Sequence, residues 1–97
     1  MPKPLPLIAC TLGAEDQRAR LEEWRSLLAQ AASRADVPGG KRYVFDAELG
    51  ASVQRLAAAE SDCCSFLDFE LSADENGVAM TVTTVPQAEP ALRFVFG

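Results

Sequence analysis

The stretch from Ala14 to Ser33 constrains the fold of this chain more than any other. Leu21, Trp24, Leu27, Leu28 and Ala31 recur at helical spacing, Glu15 and Asp16 fall in the first turn, and Pro38-Gly39-Gly40 closes the segment. A helix of about 20 residues spans about 30 Å. Extended runs stand on either side of it. Leu5 to Leu12 follows a proline-rich start, and Lys41 to Ala47 places Tyr43 and Phe45 on one face and Val44 on the other. The connection from Ala35 to Arg42 is too short to re-cross the helix and also turn, which predicts that these two strands run parallel.

A second helix is expected from Gly50 to Cys64, with Leu49, Val53, Leu56 and Ala57 as its apolar stripe. Phe69 to Ala73 and Val78 to Val85 then flank Asp74-Glu75-Asn76-Gly77, whose Asn-Gly is a hairpin signal. The order βαβαββ predicts an α+β fold, a two-layer sandwich with two helices on one face of a mixed four-stranded sheet. Leu21, Trp24, Leu28, Val53 and Leu56 should pack on Ile8, Val44, Tyr43 or Phe45, Leu71, Met80 and Val82. A chain of 97 residues forms one domain, residues 1–97, and buries about two-thirds of its surface. The tail from Glu89 to Gly97 should add a helical turn or an apolar packing segment. Its Leu92-Arg93-Phe94-Val95-Phe96 run needs cover, either on the open face of the sheet or in a homodimer.

Composition narrows the chemistry. The chain has no histidine, which excludes Ser-His-Asp and Cys-His catalysis, Cys₂His₂ zinc sites and histidine acid–base mechanisms. Its net charge is −5, and residues 60–97 hold seven acids against the single cation Arg93. No basic cluster in the sequence offers itself to phosphates, so a nucleic-acid partner is not expected. No apolar run approaches the ~20 residues of a membrane span, and the N-terminus does not read as a signal peptide. The expected location is the cytoplasm, where three thiols, two of them adjacent, do not make a disulfide framework.

Glu60-Ser-Asp-Cys63-Cys64-Ser-Phe66 is the most unusual local sequence. On a helix Glu60 shares a face with Cys63 and Cys64, and it lies on the apolar stripe that continues Val53 and Leu56. Two thiols beside a carboxylate form half of a site for a soft ion such as Hg, As, Zn or Cu, with Cys63, Cys64 and Glu60 as the metal-site candidates. Adjacent helical residues diverge by ~100°, so the two thiols can converge only where the helix ends. The plain alternative is that cysteine packs as a small hydrophobe and Glu60 only satisfies a neighbouring donor. A buried Glu60 needs a partner in either case: a thiol of Cys63 or Cys64, an amide near Pro38–Arg42, an arginine such as Arg42, or a bound cation. Cys10 stands before the first helix, where a thiol gains nucleophilicity, and is the alternative reactive residue.

Two resemblances follow from these residues. The Leu-Glu-Glu-Trp-Arg-Ser-Leu-Leu helix and the Leu-Ala-Ala-Ala-Glu-Ser-Asp-Cys-Cys-Ser-Phe-Leu-Asp-Phe-Glu-Leu segment resemble small bacterial proteins of an E-x-x-C-C-x-F type signature, loosely associated with heavy-metal resistance. The βαβαββ order and the placement of Cys10 resemble the TusA/SirA-like sulfur carriers, in which a reactive cysteine opens the first helix in a C-P-x-P motif. Here Thr11-Leu12-Gly13 follows Cys10 in place of that motif. The first resemblance implies a thiol-based binding protein for a soft metal or metalloid. The second implies a persulfide carrier using Cys10. A structural or interaction module with buried cysteines and a protein partner is the third reading.

Overall fold

The computed structural model describes residues 14–63 and 66–96. Helix α1 (Ala14–Leu28) leads into strands β1 (Ser33–Val37) and β2 (Gly40–Phe45). Helix α2 (Gly50–Cys63) leads into β3 (Asp68–Asp74) and β4 (Gly77–Thr83), and α3 (Glu89–Phe96) ends the described chain. The strands form one sheet in the order β1-β2-β4-β3. Two α-β-β units thus meet through their second strands, although the sequence shows no repeat.

The α+β class and the packing of helices on a four-stranded sheet agree with the sequence expectation. Among the described residues the sheet is not mixed, because every pairing is antiparallel. The strand expected over Leu5–Leu12, and with it Ile8 and the parallel pairing, lies outside the described residues. The fourth strand comes instead from Ser33–Val37, next to a first helix that stops at Leu28 rather than Ser33. Ala32 N–H already donates to the Val44 carbonyl at 2.7 Å, so the chain joins the sheet where the helix was expected to continue. Pro38 and Gly39 form a two-residue turn between Val37 and Gly40, with Gly39 at φ +79°. Proline followed by a left-handed glycine is the composition of a type II turn.

Register decides which residues form the core. Tyr43 faces Met80 and Phe45 faces Val78 across β2–β4, while Phe69 faces Val82 across β3–β4. All of these point to the helical side, where they meet Trp24, Leu27, Leu28, Val53, Leu56, Leu92 and Phe96. Val44 belongs to the opposite face of the sheet, and Leu71 is exposed at the β3 edge, so neither joins the expected core. At the β3–β4 hairpin the Asp74 carboxylate accepts the amides of Asn76 at 2.8 Å and Gly77 at 3.1 Å. That side-chain cap holds the turn which Asn-Gly signals in the sequence.

The C-terminal segment is helical and packs on the same side as α1 and α2, not on the open face. Phe96 is fully buried, and its carbonyl accepts the Tyr43 hydroxyl at 2.8 Å. Leu92 is buried as well, so these two side chains find their cover within one chain, while Phe94 remains 51% exposed.

Two outcomes follow. A Cβ on Gly40 would stand 1.8 Å from the Val82 carbonyl oxygen, which neither strand can relieve by rotating a side chain. Gly40→Ala should cost about 2 kcal/mol or more in urea unfolding. Burial pushes the phenol of Tyr43, the chain's single tyrosine, above its ordinary value of 10.0, with nearby Arg34 opposing in part. Folded-state protonation is therefore favoured over unfolded, and stability is held below about pH 10 and falls as pH rises through the folded value. Tyrosinate absorbance should develop at higher pH in the folded chain than in urea.

Candidate functional site

Glu60 is the one buried charged residue among those described, at 7% exposure. The 3.6-residue period of α2 carries it inward after Val53 and Leu56, as the sequence spacing predicts. A bare carboxylate there would cost several kcal/mol. Its Oε1 accepts the Trp24 indole Nε1–H at 2.8 Å and an Arg20 Nη1–H at 3.2 Å. Arg20 and Trp24 are one helical turn apart on α1, so both donors project from one face. The arginine that pairs with Glu60 is Arg20, not Arg42.

The same contacts orient the helices. Arg20 meets Glu60, and Arg55 bonds Glu23 at 3.2 Å, so α1 and α2 run antiparallel. Arg55 and Glu23 are both exposed, and such a pair contributes little to stability. Glu60 differs because its oxygen is shielded and held by two donors, one of them charged. Trp24 is itself fully buried, stacked on Phe69 with centroids 6.0 Å apart and edge-on to Phe96 at 5.0 Å.

In the sequence Cys63 and Cys64 follow Glu60 by three and four residues. Cys63 is the last residue of α2. The Cys63 side chain, Cys64 and Cys10 lie outside the described residues. On the far side, the Phe66 carbonyl accepts the Thr84 hydroxyl at 2.7 Å, and Leu67 is buried. Along the chain the cysteine pair therefore falls between two fixed points: Glu60 of α2, held by Arg20 and Trp24 of α1, and Phe66, held by Thr84 after β4. Sequence reasoning identified the first of these and missed the second, since a hydroxyl-to-carbonyl bond across 18 residues leaves no periodic mark.

Among the described residues no group of three or more metal-binding side chains occurs. No described helix is long and apolar enough to cross a membrane. Compared with known protein families, curated proteins and solved structures, the chain matches none.

Glu60→Gln keeps an acceptor for Trp24 but removes the charge that Arg20 meets. It should lower stability by about 1–2 kcal/mol in urea unfolding, against a change near zero for Glu23→Gln on the exposed pair.

Proposed function

We propose that this protein binds a soft metal or metalloid ion through the adjacent thiols of Cys63 and Cys64, with Glu60 as the hydrogen-bond acceptor that fixes the end of α2. The observation that carries this reading is the anchoring of the α2–β3 junction on both sides, at Glu60 and at Phe66. Adjacent thiols on a continuing helix diverge, and the helical run of α2 has given way to a turn by Phe66. A junction held at both ends also loses less freedom on closing around an ion.

The position selects the ion class. The C-terminal end of a helix carries partial negative charge and disfavours a thiolate. Thiols there are weak nucleophiles, and the ions that suit them are those with enough sulfur affinity to displace the protons. Hg(II), arsenite-type As(III) and Cu(I) meet that condition better than oxygen-seeking ions. Glu60 already serves Trp24 and Arg20 through Oε1, so it acts as a support for the thiols. The resemblance to proteins of the E-x-x-C-C-x-F type points to the same ion class.

Native mass spectrometry of the reduced protein with Hg(II), in the presence of excess glutathione, tests the reading. One mercury should be retained per chain, with loss of two protons. Cys63→Ser and Cys64→Ser should each weaken retention a hundredfold or more, and Cys10→Ser should leave it unchanged. Retention that survives loss of either member of the pair would overturn it.

A further inference from the structure

We propose that a cleft beside the last turns of α1 and α3, where three arginines outweigh the partial negative charge of the helix ends, binds a small organic anion that joins a carboxylate or phosphate to an apolar body. The cleft is open to solvent, with a volume of about 330 Å³, and is lined by Arg25, Leu28, Arg34, Tyr43, Arg93 and Phe94 among others, with no acidic side chain among the described residues of its wall. That volume is at the lower end of small-molecule sites, about 300–1,000 Å³. It shares no lining residue with the Glu60 clasp or the cysteine pair, and the inference is independent of the function proposed above.

Three of the nine cations of a chain with net charge −5 meet here. They come from α1, β1 and α3, far apart in sequence, which is why no basic cluster is visible along the chain. Arginines near one another normally acquire carboxylates. The ion pairs of the described residues use Arg20, Lys41 and Arg55, and none involves Arg25, Arg34 or Arg93. The nearby Asp36 pairs with Lys41 at 2.9 Å, and Arg93 acts on it only at longer range. Arg34 is held in place: one Nη2–H donates to the Leu28 carbonyl at 2.8 Å, and its guanidinium lies 5.6 Å from the Tyr43 ring centroid. Guanidinium stays charged at every accessible pH and presents a planar fork suited to carboxylate or phosphate.

The apolar requirement comes from Phe94. It is 51% exposed on a helix whose Leu92 and Phe96 are buried, and it stands at the same cleft. An inorganic anion would use the arginines and leave this ring in water. An aromatic or short alkyl group attached to the anion would cover it.

Titration with 8-anilinonaphthalene-1-sulfonate, an aromatic anion that brightens in apolar surroundings, tests the proposal on the intact chain. Saturable enhancement is expected, reversed by octanoate but not by octylammonium or inorganic phosphate. The Arg25→Gln/Arg93→Gln double variant should bind at least tenfold more weakly, and Phe94→Ala should weaken binding with the charge intact. Circular dichroism in the near ultraviolet checks that both variants keep the native packing. Three results would overturn the proposal: no saturable signal, equal affinity in the natively packed double variant, or displacement by octylammonium as effective as by octanoate.

Discussion

A carboxylate inside a small core is the constraint around which the rest of this molecule is arranged. Glu60 cannot stay charged and buried without donors, and both described donors come from a single turn of α1. Satisfying it fixes how α1 lies on α2 and brings the Trp24 indole to one place. From there the packing spreads. Trp24 stacks on Phe69 of β3 and meets Phe96 of α3 edge-on, and Phe96 in turn receives the Tyr43 hydroxyl from β2. One polar contact from α2 thus sets the position of an aromatic cluster drawn from two helices and two strands.

Much of this was legible in the sequence because it is periodic. Trp24 and Leu28 on the first helix, Val53, Leu56 and Glu60 on the second, and the turn at Asn76-Gly77 all reveal themselves by spacing. The inward placement of Glu60 follows from the same period, and so does its need for a partner. Its particular partner was not legible. Arg20 lies one turn before Trp24 and shares its face, but an arginine on an apolar stripe is easily read as a surface residue.

What escaped the sequence lacks such a signal. Strand β1, Ser33–Val37, is an edge strand exposed along nearly its whole length, so it shows no alternation of apolar and polar residues. Its partner and the Pro38-Gly39 turn define it, and these act through pairing rather than composition. Without β1 the reading runs the first helix on to Ser33, leaves the rest of the strand in the connection to Arg42, and expects a mixed sheet from a parallel strand at Leu5–Leu12. Contacts distant in sequence, such as Thr84 to Phe66, were invisible for the same reason. The charge of the cleft is a further case, since Arg25, Arg34 and Arg93 converge only in the folded chain.

The functional proposal joins the legible and the illegible parts: a cysteine pair conspicuous in the sequence, and a junction anchored on both sides by contacts that only the fold provides. Its central claim is that Cys63 and Cys64 act together on one ion. X-ray absorption at the mercury edge, on protein loaded with one equivalent of Hg(II), reads the coordination directly. Two sulfur neighbours per mercury, reduced to one by Cys64→Ser and unaltered by Cys10→Ser, are the predicted result. A single sulfur neighbour in the unaltered protein, or a coordination that depends on Cys10, would contradict it.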